Sequence, residues 1–272
     1  MYKLFSFSLL LICSALLYGQ PSGNNILKDG QLLYRIEKAS LYGTDEFLST
    51  YPQLRDSIGG CLSYEGENHQ IINIILSRRN PFKILARMEF DNLPKIKPIS
   101  INVNNHEPTQ KERDLITIRQ DALEKIISNP DNFFTFYENT SFNLIPLITS
   151  ERKVYILTTS KKSGVVTLGN DYLLKYNFNN KFISKWKLHN SIIELPAKND
   201  TTTISATVHS HVLSDLIEPT DICTLLLNKD LVDWKQHYVI SEKYVSVFDL
   251  EKQKLNIYMK EAWYRAEKSR NR

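Results

Sequence analysis

One stretch, residues 201–224 (TTTISATVHSHVLSDLIEPTDICT), limits the fold more than any other. It alternates, turns, and then opens a helix. Side chains in a strand alternate with period two. Ile204, Ala206 and Val208 therefore share one face, and Thr203, Ser205, Thr207, His209 and His211 share the other. The two imidazoles sit side by side at the end of a polar strand face. Nine residues lie between His211 and Asp221, and the Pro219-Thr220 pair before that aspartate is a helix-start signal. Two imidazoles and one carboxylate on rigid elements around a short loop match a zinc site with one coordination position open. Each piece also has a plainer reading. Neighbouring histidines are commonly surface or hydrogen-bonded residues, and the helix dipole favours an acid in a first turn.

The sequence on either side reads as a mixed chain. Apolar spacing predicts helices over 24–38 and 43–51, the second closed by Pro52. Residues 61–90 read as strands with a hairpin at Asn80-Pro81, and 99–103 as a further short strand. Thr109 and Glu112 form a capping box for a helix reaching about Ser128, with Leu115, Ile118, Ala122 and Ile126 on one stripe. The aromatic segment 132–142 reads as a packing seam between two halves. Beyond Arg152 the texture is that of a meander, with strands at 154–159, 165–176 and 182–195. The histidine strand at 202–211, a helix at 220–232 and strands at 237–241, 244–249 and 254–259 follow. The expectation is an α+β (mixed α/β) fold, with a helix-rich N-terminal part carrying a β-hairpin and then a mostly antiparallel sheet with flanking helices. The expected divisions are 1–19, 20–145, 146–259 and a basic tail at 260–272.

Residues 1–19 have the pattern of a secretory signal. Lys3 supplies the positive start, 4–17 are apolar but short for a bilayer, and Gly19 offers a small residue for cleavage. A lipoprotein signal at Cys13 is disfavoured by bulky Ile12. The expected location is secreted or periplasmic, with no transmembrane helix after signal removal. The net charge of +4 becomes +3 without those residues, since Lys3 is their only charged side chain. That balance, with no aromatics interleaved in a stacking pattern in the basic tail, argues against nucleic acid as a partner. The mature chain keeps Cys61 and Cys223, too few for a disulfide scaffold. They could form a single bridge, but they lie in different expected regions, so two buried free thiols are expected.

HxH followed by Asp at a helix start resembles the JAB/MPN (JAMM) metallopeptidase domain, over roughly residues 150–259. The resemblance implies that His209, His211 and Asp221 bind zinc. It also implies a glutamate on an earlier strand that works through a water, and a serine that polarises the substrate carbonyl. Three features depart from the family pattern. Val212 replaces a usual proline, the histidine-to-aspartate interval is one residue shorter, and Glu218 stands at the serine position. Hydrolysis at zinc needs a proton carrier. By order, Glu151 is the first candidate base, though it reads equally as a solvated strand-end acid; Glu194 is the second. Glu218 is either a fourth ligand or a plug of the open position. Ser214 either replaces the missing serine or is a turn residue. His69, His106, His189 and His237 read as structural or surface histidines. The runs GVVTLGNDYLLKY and WKQHYVISEKYVSVFD resemble a group of exported bacterial proteins with no assigned activity. No GxSxG, Walker loop or dinucleotide fingerprint occurs. The function implied is an exported zinc-dependent hydrolase of peptide or isopeptide bonds. The alternative is a catalytically silent, partner-binding domain of the same fold.

Overall fold

The computed structural model describes residues 23–104, 107–198 and 204–270. The signal pattern at 1–19, His106 and Thr203 lie outside the described residues.

Helix α1 (Gly23–Thr50) is one helix, where two are expected from the sequence. Its buried residues, Leu32, Leu33, Ile36, Ala39, Gly43 and Phe47, recur at three- and four-residue intervals. Gly43 thus lies within a continuous stripe, and burial of that stripe outweighs a glycine's cost of about 1 kcal/mol in a helix. Strands β1 (Ile58–Glu65), β2 (Ile71–Ser77), β3 (Ile84–Phe90) and β4 (Ser100–Asn102) form an antiparallel sheet in that order. Helix α2 (Gln110–Ser128) has the expected capping box. Glu112 N donates to Thr109 Oγ1 at 3.2 Å, and Thr109 N donates to Glu112 Oε2 at 2.7 Å.

Strands β5 (Thr140–Ile148), β6 (Arg152–Ser160), β7 (Val165–Gly169), β8 (Tyr172–Tyr176), β9 (Phe182–Lys187) and β10 (Ile192–Pro196) come next. One sheet has the order β5-β6-β8-β9, while β7 pairs with β10 in a separate ribbon. The sequence suggests unbroken strands over 165–176 and 182–195, but both break midway. Gly169 and Asn170 take the left-handed region, with φ of 91° and 55°, and step the chain from ribbon to sheet. A Cβ on Gly169 would stand 2.3 Å from the Ser191 carbonyl oxygen, so the two breaks lie against each other. Asp171 occupies the first break and His189 the second.

Strand β11 (Ala206–Ser210), helix α3 (Pro219–Leu227), strands β12 (Gln236–Ile240), β13 (Tyr244–Asp249) and β14 (Lys254–Met259), and helix α4 (Lys260–Arg270) complete the chain. β11 runs parallel to β12 and the remaining pairs of this sheet are antiparallel. The period-two alternation of β11 holds, but its apolar side faces out: Val208 is 54% exposed and His209 only 6%. Helix α3 stops at Leu227, short of the expected 232, and a 3-10 turn, Lys229–Leu231, follows.

The fold class is α+β, as the sequence implies. The division expected between residues 145 and 146 falls inside β5. One core joins Leu33 and Phe47 of α1 and Ile75 of β2 to Ile145 of β5, Leu157 of β6 and Cys223 of α3. Phe134 packs on Tyr172 with ring centroids 5.0 Å apart, so the aromatic segment is the seam between α2 and the β5–β9 sheet. Cys61 and Cys223 are both free. Among the described residues, no helix is long and apolar enough to cross a membrane.

Candidate metal centre

Three separate segments converge at one buried point. His209 projects inward from β11, and His211 follows one residue past the strand, held there by its N–H donating to the Ile240 carbonyl at 2.9 Å. Asp221 sits in the first turn of α3, where its Oδ2 accepts the Glu218 backbone N–H at 3.0 Å. Helix α3 is set by α1. A Cβ on Gly30 would lie 2.6 Å from Ile222 Cβ and 3.0 Å from the Pro219 carbonyl, so only a glycine lets the helices approach this closely. His189 arrives from the break between β9 and β10.

The four side chains each offer one donor atom, and those atoms all lie within 4.8 Å of one another. His189 Nε2 is 3.0 Å from Asp221 Oδ1, His211 Nε2 is 3.3 Å from Asp221 Oδ2, and His209 Nε2 is 4.0 Å from Asp221 Oδ1. Tetrahedral zinc with bonds near 2 Å requires donors about 3.3 Å apart, so this set needs little adjustment to accept such an ion. All four residues are buried, Asp221 to 1% exposure. His189 Nδ1 and Nε2, His209 Nε2, His211 Nε2 and Asp221 Oδ1 make no hydrogen bond. The 3.0 Å approach of His189 to Asp221 is out of line for one. Orphaned polar atoms are costly in an interior and rare there; His189 Nδ1 faces Asp171, and the other four, one from each residue, converge as a cation's ligands would.

No protein-family model matches the chain, and no curated protein or solved structure matches it. The chemistry is therefore argued from the side chains themselves.

His211 Nδ1 lies 2.7 Å from the Leu216 carbonyl oxygen, which can only accept. That ring thus carries a proton on Nδ1 and turns Nε2 inward as the nitrogen that could bind a cation. Burial drives His209 down to about 4 and His237, behind it, down to about 3, so both rings are neutral. Burial also opposes charge on His189, but the neighbouring Asp221 carboxylate outweighs it and lifts that ring to about 9. Burial works against ionisation of Asp221 too, and the three imidazoles overcome it, holding the carboxyl well below its usual range. The cluster contains one firm anion whose surroundings favour positive charge. Asp171, pushed up to about 7 by burial, stands 3.4 Å from His189 Nδ1 and accepts the Thr158 backbone N–H at 2.8 Å. It occupies the place of an outer carboxylate that orients a ligating imidazole.

The expected trio of His209, His211 and Asp221 is brought together, and His189 joins it. The glutamates divide. Glu151 is not at the cluster: it pairs with Lys175 at 2.8 Å and lines a separate pocket with Lys111 and Lys153. It precedes β6, seven residues from Thr158, which at 3.3 Å per residue puts it roughly 20 Å from the cluster end of that strand. Glu194 also points elsewhere, pairing with Lys162 at 2.8 Å on the β10 surface. Glu218 does lie beside the cluster. Burial raises its carboxyl, and the nearby Ser214 hydroxyl opposes that rise. Ser214 Oγ is 3.0 Å from His211 Nδ1 and donates to the Leu216 carbonyl at 3.0 Å. A cleft of about 220 Å³, lined by Leu168, Leu188 and the three histidines among others, opens onto the imidazole side. At Val212 and Leu213 it meets a wider surface groove that runs towards Asp215 and Lys260.

The sequence reading missed His189 because 182–195 looks like one strand. The Gly169-Asn170-Asp171 triplet is turn chemistry and marks the matching break in the strand before it.

Proposed function

We propose that the chain is an exported metal-dependent hydrolase. One divalent transition ion, zinc by preference, is held by His189, His209, His211 and Asp221, and the substrate is a peptide or isopeptide bond. The observation that carries the metal is the set of orphaned, buried donor atoms converging on one point. Three imidazoles and a carboxylate suit zinc among the common divalent ions. When bound, such an ion supplies Lewis acidity and brings the pKa of water towards neutrality. The chain's own residues do the remainder. Leu216 holds the ring of His211, the cleft and its adjoining groove admit an extended chain, and Glu218 is the half-buried carboxyl that carries a proton. The JAB/MPN resemblance of the HxH…Asp order supports the peptide or isopeptide assignment.

A second reading follows from His189. Four protein donors complete a tetrahedral set, as closed structural sites do. The ion would then brace three segments of a partner-binding domain.

Elemental analysis of the purified chain tests both readings, with about one metal ion per chain expected. Absence of metal at neutral pH removes both. If metal is present, cleavage of peptide and isopeptide substrates by wild type and by Glu218→Gln separates them. Activity that falls in the variant while metal content holds supports hydrolysis. A metal-loaded, inactive wild type supports the structural ion.

A further inference from the structure

Each ligating imidazole has a second nitrogen, and what that nitrogen meets decides whether the first can bind metal. His211 meets a carbonyl and His189 faces the Asp171 carboxylate. His209 meets a third type of group. Its Nδ1 lies 2.7 Å from Nε2 of His237, and His237 Nδ1 lies 2.8 Å from Thr207 Oγ1. His237 is fully buried, with its ring centroid 4.9 Å from that of His209 and 5.9 Å from that of Trp234. The parallel pairing of β11 with β12 sets Thr207 directly opposite His237, so the sheet itself fixes this arrangement.

We propose that His237 is the positioning residue for His209, holding it with the proton on Nδ1 and the Nε2 lone pair aimed into the cluster. A neutral imidazole has one donor and one acceptor nitrogen. A threonine hydroxyl can donate or accept, so the Thr207–His237–His209 chain can run in either direction. Only one direction leaves His209 Nε2 bare: His209 donates to His237, and His237 donates to Thr207. In the opposite direction His209 presents an N–H to the cluster and cannot ligate. In the ligating direction Thr207 is the terminal acceptor, and His237 links its hydroxyl to His209. Neither touches the ion. The inference rests on the metal reading above and extends it to two residues that reading leaves without a role.

The test uses the full chain loaded with Co²⁺, whose visible absorption bands report the geometry of its ligands. In His237→Phe the acceptor for His209 is gone. Metal affinity is expected to fall roughly 10–100-fold, the usual effect of losing an outer-shell partner, and the cobalt bands to shift. His237→Gln returns an acceptor oxygen and should recover most of both. Thr207→Val leaves His237 without its terminal acceptor and should give a smaller loss in the same direction. A folded His237→Phe protein with wild-type affinity and wild-type bands overturns the proposal. Should His237→Phe not fold, ¹⁵N spectra of the imidazoles in the metal-loaded wild type decide. His209 protonated on Nδ1 sustains the proposal, and His209 bound to metal through Nδ1 overturns it. A wild type that takes up neither Co²⁺ nor Zn²⁺ overturns the metal reading and this inference together, whereas failure of the variants alone leaves the metal reading standing.

Discussion

A nitrogen or oxygen buried without a partner raises the energy of a fold unless something charged arrives to meet it. That argument makes His189 the informative residue of the cluster, since both of its ring nitrogens are buried and neither makes a hydrogen bond. If it ligates, His189→Ala should weaken zinc binding by more than the roughly 10–100-fold of an outer-shell loss. Glu151→Gln, in a side chain paired with Lys175 on another face, should leave zinc binding unchanged. Competition against a chromophoric chelator measures both; unchanged binding in His189→Ala would leave a three-ligand site. A half-buried acid on α1, Glu37, carries a pH prediction independent of metal. Burial lifts Glu37 to about 7, partly offset by a hydrogen bond from Asn143 and by Arg119. The folded value stands above the unfolded one, so the unfolded chain releases this proton at lower pH. Stability tied to Glu37 is therefore highest below about pH 4 and declines as pH rises towards 7. Glu37→Gln should flatten that decline, by on the order of 2 kcal/mol between pH 4.5 and 7, in urea titrations at several pH values. Parallel curves for the two proteins would place the ionised carboxylate in water.

Elements determine where these residues end up, and the close contact of α1 with α3 is the one that places Asp221. With Ile222 Cβ 2.6 Å and the Pro219 carbonyl 3.0 Å from a Cβ at position 30, Gly30→Ala cannot be absorbed by a side-chain rotation. The helices must separate. Overpacking of this kind costs about 1–3 kcal/mol, and here the shift falls on the turn that carries Asp221. Gly30→Ala should therefore lose thermal stability and zinc affinity together, whereas a substitution at exposed Leu41 on the same helix should alter neither. The same scale explains what the sequence discloses. His209, His211 and Asp221 are legible because one strand face and one helix start place them by local geometry alone. The capping box at Thr109 and Glu112 is legible for the same reason. His189 is not, because its position depends on two chain breaks that lie against each other, and one of them is hidden in an apolar, strand-like run. The single helix α1 is not legible either: 39–42 read as a gap between two helices until the core that buries Ala39 and the sheet that Gly43 meets are known. Glu151 misleads in the opposite sense. Its order along the chain suits a base, but β6 approaches the cluster only at its far end, where Thr158 binds Asp171.

At the scale of the whole molecule, one core runs through both halves, and the histidine–aspartate cluster lies in the half that depends on the other. Residues 146–259, the extent expected of a metal-binding domain, begin inside β5 and exclude α1 altogether. A fragment cut there loses the β5 residues Thr140 to Ile145 that pair with the second half of β6. It also strips α1 residues Leu33 and Phe47 from the core they share with Cys223 and Leu157, and removes the helix that sets α3. The fragment 146–272 should therefore show no cooperative melting transition and no stoichiometric zinc binding, while the chain from residue 20 onward should melt in one step. Zinc should raise that melting temperature, since a ligand bound only by the folded state at a thousand times its Kd adds about 4 kcal/mol. For a chain of this size the shift would be on the order of 10 °C. Calorimetry of the longer chain with zinc and with a chelator measures it. Two separate transitions, only one of them responsive to zinc, would show that the halves fold independently and that the shared core is too weak to couple them. A single transition that zinc moves as a whole is the outcome this packing requires, because Asp221 cannot hold its place unless α1 holds α3.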